Sequence, residues 1–376
     1  MKFIHCADFH LDAPLTARFS PSQAAQRRSE LLHAFGRIAD YAAQHGAAAV
    51  LIAGDLFDGI HVRRSTMDYV LDTIRRHPNV AFFSLCGNHD AGVQTDCGTL
   101  PPNLFQFSAE GCAYRLGSAV IYGVEPAPGD ENWYSRLAQA LNPSDCNLVL
   151  LHGQTANSVG PGQIALNRLR GCGIDYLALG HLHTFCTGEL DARGRWAYSG
   201  CPEGRGFDEC GEKGFIEVEV KVDRPPQIRF VPFAVRTLHD CRADLTGAVT
   251  LVEQQAAVAQ AAAGIPACDI VRVTLCGRAE PEYAPDLMFL QTALQQQFFY
   301  TVLQSNLEYE IDHPAYADEI SLRGEFYRLV QLQSMPDTDR AAILRAGLAA
   351  LRGEDIPLPD VWTSTPTTQE EDTPCG

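Results

Sequence analysis

Four short runs of chemically active residues are spaced through the first half of the chain. They place aspartate, asparagine and histidine beside glycine or apolar residues, and they are Asp8-Phe9-His10, Gly54-Asp55-Leu56-Phe57-Asp58, Gly87-Asn88-His89-Asp90 and Gly180-His181-Leu182-His183. A fifth element is His152, which precedes Gly153. Carboxylate and imidazole ligands together suit transition metals such as manganese, iron or zinc. Two aspartates, one asparagine and four histidines are too many ligands for one tetrahedral ion, but they suffice for two ions that share a bridging carboxylate.

Each of these elements lies at the end of a segment that is predicted to be a strand. The strands are Lys2–Ala7, Ala48–Ala53, Val80–Cys86, Asn147–Leu151 and Tyr176–Leu179. Ligands of α/β sheets bind beyond the carboxyl ends of the strands, so we expect the five elements to converge in space. Taken singly, each run is equally well explained as a turn or a surface loop. Their occurrence in order, each at a strand end, makes coincidence a weak explanation.

The surrounding elements predict a layered α/β fold. Helical patterns alternate with the strands at Ser22–His45, Arg63–Arg76, Glu131–Leu141 and Ile164–Arg170. A further strand is predicted at Ser118–Val124, and two hairpins pair Phe185–Leu190 with Arg195–Ser199 and Phe215–Lys221 with Gln227–Val231. Apolar strands that alternate with helices are buried between them. Three arginine pairs are possible phosphate contacts, but for most of them a solvated helix face is favoured: Arg27-Arg28, Arg63-Arg64 and Arg75-Arg76.

The character of the sequence changes around Pro232–Arg236, where we place a domain boundary. The following segments predict a smaller α+β unit, with helices at Ala248–Ala263, Pro285–Gln297, Ala315–Leu332 and Thr338–Leu351 and strands at Asp269–Cys276 and Asn306–Ile311. The residues from Glu354 onward are rich in proline, threonine and acid, which predicts disorder.

Composition excludes several classes of protein. The 376 residues are 46% hydrophobic and 20% charged, as in an ordinary globular protein. The net charge of −17 argues against a broad electrostatic footprint for nucleic acid, although metal ions can still hold phosphates. The 13 cysteines include no C-x-x-C pair, which predicts a reducing, cytoplasmic compartment. Every apolar run is too short for a membrane span.

The five elements, in this order, resemble the motifs of calcineurin-like metallophosphoesterases. The run from Phe3 to Asp12 is most similar to the SbcD-type DNA exonuclease branch, and so are the later runs Tyr198–Glu203, Phe207–Glu209 and Gly214-Phe215. The resemblance implies an α/β/β/α metallophosphoesterase sandwich over residues 1–234 and a smaller α+β capping domain over residues 235–332. We expect a C-terminal helix over residues 333–353 and a disordered tail over residues 354–376.

The resemblance also implies roles for individual residues. One divalent ion would be held by Asp8, His10, Asp55 and His183. The second would be held by Asp55, Asn88, His152 and His181, with Asp55 bridging. Manganese is the usual ion of the nuclease branch, and iron or zinc are alternatives.

Further residues are expected around the scissile phosphate. His89 would lie beside it, and Asp90 would either orient His89 or only stabilise its turn. Arg205 would contact the substrate at the edge of the cleft. Some nucleases of this branch carry histidine near Asp58, so a nuclease-specific role at this position is left open.

These residues predict a hydrolase that attacks a phosphodiester in line with a metal-bridging hydroxide. The resemblance favours a DNA exonuclease and endonuclease of DNA repair. The sequence contains no Walker A run, and the resemblance implies that a separate SMC-like ATPase subunit supplies ATP hydrolysis. A homodimer would form through Arg63–Arg76 and the segment after Asp90. Two alternatives remain: a phosphoesterase that acts on nucleotides, small molecules or phosphoproteins, and a non-catalytic scaffold.

Overall fold

A computed structural model describes residues 1–351, except 16–18, 60–61, 90–98, 127–129, 157–161, 222–223, 280–283 and 310–312. Asp90 and the predicted tail, residues 354–376, therefore lie outside the described residues. The helices, in chain order, are α1 Pro21–Gln44, α2 Arg64–Arg76, α3 Trp133–Ala140, α4 Leu166–Leu169, α5 Leu251–Ala261, α6 Leu287–Gln295, α7 His313–Asp318, α8 Leu322–Gln331 and α9 Asp337–Leu351. Within the described ranges, every helix is too short or too polar to cross a membrane.

The strands form two large mixed sheets and several small ones. In chain order they are β1 Lys2–Cys6, β2 Ala49–Ala53, β3 Ala81–Leu85, β4 Leu104–Gln106, β5 Cys112–Leu116, β6 Ala119–Gly123, β7 Cys146–His152, β8 Gln154–Ala156, β9 Gln163–Ala165, β10 Tyr176–Gly180, β11 Cys186–Glu189, β12 Arg195–Tyr198, β13 Gly214–Lys221, β14 Arg224–Pro232, β15 Leu238–Asp244, β16 Ile270–Cys276, β17 Arg278–Ala279, β18 Tyr300–Ser305 and β19 Glu308–Tyr309.

The predicted site residues lie at the ends of five strands, and all five strands belong to two six-stranded sheets. One sheet has the order β14-β13-β1-β2-β3-β4, and the other has the order β11-β12-β10-β7-β6-β5. β1, β2 and β3 are parallel neighbours, and so are β7 and β10. Both predicted hairpins are present as the antiparallel pairs β11–β12 and β13–β14.

Alternate residues of each central strand enter different cores, which explains why these strands carry apolar residues on both faces. In β1, Phe3 packs between the sheets with Leu148 of β7, whereas Ile4 faces the core that contains Phe35 of α1. In β7, Val149 faces a third core with Leu137 of α3. The layers are therefore helix, sheet, sheet and helix, as predicted. A strand that is buried on both faces shows no polar alternation.

Local signals fix the helices that border the site. Ser20 and Gln23 form a capping box at the start of α1. The start of α2 is capped from a distance, because the Asp12 carboxylate accepts hydrogen bonds from the Arg63 amide at 2.8 Å and the Thr66 hydroxyl at 2.9 Å. This contact ties the loop after β1 to α2.

Arg27 is an exception among the arginines for which solvated helix faces are favoured. Its side chain is buried and donates to Glu203 and Glu30, at 3.0 and 2.9 Å, and to the carbonyl oxygen of Gly204. The buried carboxylate of Glu203 and the partly buried one of Glu30 compensate the guanidinium, which is the condition under which arginine enters a protein interior.

The chain divides into two compact units. The first comprises Met1–Asp240, Pro266–Val271 and Phe298–Tyr300, and the second comprises Cys241–Ile265, Arg272–Gln297 and Thr301–Gly376. The second unit contains α5 to α9 and most residues of a three-stranded sheet with the order β15-β16-β18. The predicted capping role of this region, and its boundaries, stay predictions.

Two predictions in the second unit were wrong in detail. The strand expected over Asn306–Ile311 is displaced, because β18 occupies Tyr300–Ser305 and, in the described part of the predicted range (306–309), only Glu308–Tyr309 is a strand. Most residues of β18 are only partly buried, so its sequence lacks a clear apolar pattern. The single helix expected over Ala315–Leu332 is two helices, because Ser321 is extended and caps α8 by accepting a hydrogen bond from the Gly324 amide.

Candidate metal centre

The loops that follow β1 and β2 run side by side and bring two of the predicted runs together. The Asp8 amide donates to the carbonyl oxygen of Gly54 at 3.1 Å, and the His10 amide donates to that of Asp55 at 3.0 Å. The Asp55 carboxylate in turn accepts a hydrogen bond from the His89 amide at 2.9 Å, and the Asp8 carboxylate accepts one from the His181 amide at the same distance. Four of the predicted runs are thereby tied together through backbone hydrogen bonds.

The backbone of this region is unusually constrained. Among the described residues, the non-glycine positions with positive φ are Asp8 at 55°, His10 at 45°, Asp12 at 71°, Asp55 at 53° and His181 at 106°. Residues with side chains rarely adopt this conformation, and it is maintained where function requires it. Four of these five residues are predicted metal ligands.

A first group of ligand-type side chains consists of Asp8, His10 and His183. Each of them offers one potential ligand atom, and these atoms lie within 4.8 Å of one another. Nε2 of His10 lies 3.2 Å from Nε2 of His183 and 3.6 Å from Oδ2 of Asp55. Asp8, His10 and Asp55 are almost completely buried, so these polar atoms have little access to water.

A second group consists of Asp55 and His152 together with Asp8 or Asn88. Nε2 of His152 lies 3.2 Å from Oδ2 of Asp55 and 3.0 Å from Oδ1 of Asn88. Asp8, Asp55 and His152 likewise offer ligand atoms within 4.8 Å of one another. His181 lies beside this group, with its ring centroid 5.5 Å from that of His152.

The chemistry of these groups fits a cation. Nδ1 of His10 contacts Asp58 at 3.2 Å, and Nδ1 of His183 contacts Glu209 at 2.7 Å. With a proton on each Nδ1, two Nε2 lone pairs face each other across the first group. Nδ1 of His152 likewise donates to the Ala53 carbonyl oxygen, so its Nε2 faces two oxygen acceptors. Acceptor atoms that face each other repel unless positive charge lies between them. The distances between these atoms match two ligand atoms bound to one ion by bonds of about 2.0–2.1 Å.

Two glycines make this close approach feasible. A Cβ atom at Gly54 would overlap the His152 ring, and a Cβ atom at Gly87 would overlap the Asp55 carboxylate. Gly54 also has a φ of +93°, a conformation that glycine adopts without strain. Both glycines directly precede predicted ligands, so their lack of a side chain leaves room for the ligands of neighbouring strands.

The electrostatics give Asp55 and His10 the protonation states that metal binding needs. Burial acts to raise the pKa of Asp55, but the hydrogen bond and charge of His152, the His89 amide and the charge of His10 together outweigh it and bring the pKa to about 2. Burial lowers the pKa of His10 to about 4 and raises the pKa of Asp8 to about 6. At neutral pH, Asp55 is therefore ionised and His10 is neutral, and both are in the form that ligates a cation.

His89 is placed differently from the predicted ligands. Its side chain is 48% exposed, and its Nδ1 lies 2.9 Å from Oδ1 of Asp58. Its ring centroid is 4.7 Å from that of His10. Among the described residues, Asp58 is the partner that orients the His89 ring. It lies 31 positions before His89 in the sequence. Sequence reasoning considered only the adjacent Asp90 for this task, because a contact between separate loops leaves no local signal.

Glu209 is a second residue whose contact sequence reasoning missed. It accepts a hydrogen bond from His183, and it also binds the Arg205 guanidinium at 2.6 Å. The available signal was the run Phe207–Glu209, which contributed to the family resemblance without a role. Arg205 is largely buried, and the structure places it against Glu209 beside His183. Its substrate contact stays a prediction.

Comparison with known proteins finds a family and several relatives that are similar to the first part of the chain. Residues 1–185 match the family model described as calcineurin-like phosphoesterase. YhaO of Bacillus subtilis, an uncharacterised metallophosphoesterase, is 28% identical over 238 residues, or 58% of this chain and 57% of YhaO. The DNA double-strand break repair protein Mre11 of Methanosarcina mazei is 29% identical over 140 residues, or 34% of this chain and 20% of that protein.

A second Mre11 protein aligns over a longer region. Mre11 of Saccharolobus solfataricus is 24% identical over 245 residues, or 60% of this chain and 62% of that protein. The alignments span less than two thirds of the length of each of these three relatives. The family match spans all the predicted ligands, from Asp8 to His183. The region of this chain that carries the site, residues 1–185, is therefore similar to the calcineurin-like phosphoesterase family.

Proposed function

We propose that this chain is a dinuclear-metal phosphodiesterase that cleaves DNA as an exonuclease and endonuclease in DNA repair. The observation that carries the proposal is the set of facing acceptor atoms around Asp55, contributed by His10, His183, His152 and Asn88. DNA is favoured as the substrate because two of the relatives are named as DNA double-strand break repair proteins.

The ligand assignment follows the two groups of side chains. In this proposal one ion is held by Asp8, His10, Asp55 and His183. The other is held by Asp55, Asn88, His152 and His181. Manganese is the proposed ion, with iron or zinc as alternatives, because the donors combine carboxylate, amide and imidazole. When bound, such a pair of ions lowers the pKa of a water molecule and neutralises the phosphate oxygens, which also compensates the acidity of this protein.

His89 is the proposed catalytic side chain beside the scissile phosphate. Its exposed ring can meet the substrate, and the contact between Nδ1 and Asp58 leaves Nε2 for that encounter. From this position it donates a proton to the leaving oxygen or stabilises the charge that develops on the phosphate. A positioned group of this kind contributes about 10²–10⁴-fold to the rate. Asp58 is the positioning residue, and roles for Asp90 and Arg205 remain part of the proposal.

We further propose that an SMC-like ATPase is the partner, that the chain works in the cytoplasm, and that it forms a homodimer through α2. The absence of a Walker A run from the sequence motivates the separate ATPase. Addition of that subunit and ATP is then expected to increase the cleavage of duplex ends.

A substrate panel tests the proposal. Purified protein with Mn²⁺ is incubated with labelled single-stranded DNA, labelled duplex DNA, a nucleotide monoester and a phosphopeptide. We expect cleavage of DNA that EDTA abolishes and that excess Mn²⁺ restores. Intact DNA alongside hydrolysis of the nucleotide or the phosphopeptide would favour the alternative phosphoesterase function. Absence of all four activities, with no bound metal, would favour a scaffold.

A further inference from the structure

The imidazoles of the two ligand groups have different partners behind them. In the first group, Nδ1 of His183 donates to the Glu209 carboxylate at 2.7 Å, and Nδ1 of His10 donates to the Asp58 carboxylate at 3.2 Å. In the second group, Nδ1 of His152 donates to the uncharged Ala53 carbonyl oxygen at 2.9 Å. A carboxylate behind an imidazole fixes its tautomer and makes its other nitrogen a more basic ligand.

The ligands themselves differ in the same direction. In the proposed assignment, the first site adds the Asp8 carboxylate to the shared Asp55, whereas the second adds the amide oxygen of Asn88, although Asp8 also lies close to Asp55 and His152. A divalent cation is attracted more strongly by a carboxylate than by an amide, and the attraction is strongest where burial limits screening. Both comparisons indicate that the group that contains His183 binds a divalent cation more tightly.

Hydrogen bonds to both carboxylate oxygens of Glu209 fix the orientation of its side chain. Its side chain is almost fully buried, Oε1 accepts from His183 and from the Arg205 guanidinium at 2.6 Å, and Oε2 accepts from the Arg205 amide at 2.7 Å. The carboxylate is therefore fixed through both oxygens, and Arg205 compensates its charge. Ligand imidazoles held in this way keep their orientation in the absence of the ion.

We propose that Glu209 is a positioning residue that makes the site of Asp8, His10 and His183 the tighter of two metal sites. The inference rests on the proposed dinuclear centre and adds an order of filling to it. The first ion enters the site backed by Glu209, and the second ion binds more weakly and exchanges at the site of His152 and Asn88.

Manganese titration of the full-length chain tests this order, with binding followed by calorimetry and by electron paramagnetic resonance. The wild type is expected to bind in a tight step and a weak step, and at one equivalent to give the signal of isolated Mn²⁺ ions. Glu209→Gln keeps the shape of the side chain and removes its charge, so the tight step is expected to weaken by about 10–100-fold. The weak step should change little.

Glu203 provides the matched control. Its carboxylate is as buried as that of Glu209 and also binds arginine, through Arg27 and Arg37, but among the described residues its hydrogen bonds and ion pairs involve no predicted ligand. Glu203→Gln is therefore expected to leave both binding steps unchanged. An equal loss of metal affinity in Glu203→Gln and Glu209→Gln would overturn the proposal, since it would indicate a general effect of losing a buried carboxylate.

A second variant keeps the test decisive if Glu209→Gln fails to fold. Asn88→Ala is expected to lose the weak step and keep the tight one. Loss of the tight step in Asn88→Ala, or spin-coupled Mn²⁺ pairs in the wild type at one equivalent, would refute the order of filling while leaving the dinuclear centre intact. A wild type that binds no Mn²⁺ at all would instead remove the proposed function, and this inference with it.

Discussion

The two units of the chain place their polar and apolar residues in opposite ways. The first unit buries ionisable groups such as Asp8, His10 and Asp55, whereas the second exposes large apolar side chains such as Met288 at 81% and Leu332 at 80%. All three groups of described side chains that could hold a metal ion lie in the first unit. Burial of unpaired polar groups costs free energy, so such a cluster persists where a function maintains it.

The comparison teaches where change should affect chemistry and where it should affect only stability. The first unit surrounds its polar cluster with three hydrophobic cores, which hold several residues in a left-handed conformation. The second unit has a smaller core around α8 and α9. Substitutions of the proposed ligands in the first unit are expected to alter metal binding and turnover, and core substitutions in the second are expected to alter folding alone.

The largest effect is expected at the residue shared by both ligand groups. Asp55→Ala should lose both metal ions, and phosphodiesterase activity should fall by about a thousandfold or more, because the ions supply several kcal/mol of transition-state stabilisation. Metal content and turnover measure the two effects. Asp72→Ala, at an exposed carboxylate of α2, is the control and should behave as wild type. Retention of two ions in Asp55→Ala would contradict the assignment.

His89→Ala separates turnover from metal binding. Since His89 is not a proposed ligand, this variant should keep both ions while kcat falls by about 10²–10⁴-fold. Steady-state kinetics and metal analysis of the same sample give the two readouts, and His45→Ala serves as an exposed histidine control. Normal turnover in the His89 variant would show that the proposed mechanism is wrong.

A core substitution in the second unit tests whether that unit affects stability without affecting metal binding. Leu348 of α9 is fully buried among Tyr316, Tyr327, Val330 and Leu344, so Leu348→Ala should lower the free energy of unfolding by about 2–5 kcal/mol. Mn²⁺ affinity of the folded protein should not change. Leu332→Ala removes an exposed leucine and should cost less than about 0.5 kcal/mol. Denaturant unfolding and metal titration together decide whether the two properties are separate.

The smallest effect concerns a pH-dependent ion pair away from the metal centre. Burial acts to raise the pKa of Glu30, but hydrogen bonds from Arg236 at 2.7 Å and Arg27 at 2.9 Å lower it overall. A lowered carboxyl pKa stabilises the fold above the unfolded value of about 4.3 and loses this contribution as the pH falls through the folded value.

Glu30→Gln should therefore cost about 1–3 kcal/mol at pH 7, and the difference from wild type should shrink below about pH 4.3. Denaturant unfolding across this pH range measures it. Glu131→Gln, at a largely exposed carboxylate, is expected to show a much smaller difference. A cost for Glu30→Gln that does not vary with pH would exclude ion pairing as its cause.

Much of the fold could be predicted because its central strands leave a strong signal. β1, β2, β7 and β10 are apolar on both faces, since each packs against two cores. The signal weakens where a strand is only partly buried, as in β18. It also weakens where one capping serine divides a helical pattern, as Ser321 does before α8.

The sequence by itself determined the types and order of the polar residues at the strand ends, because strand periodicity and glycine placement are local properties. The ligand roles inferred from them stay predictions. Only the tertiary structure decided which carboxylate stands behind which imidazole, Asp58 behind His10 and His89 and Glu209 behind His183. These partners come from separate loops, and their meeting depends on how two sheets pack, which no short stretch of sequence encodes.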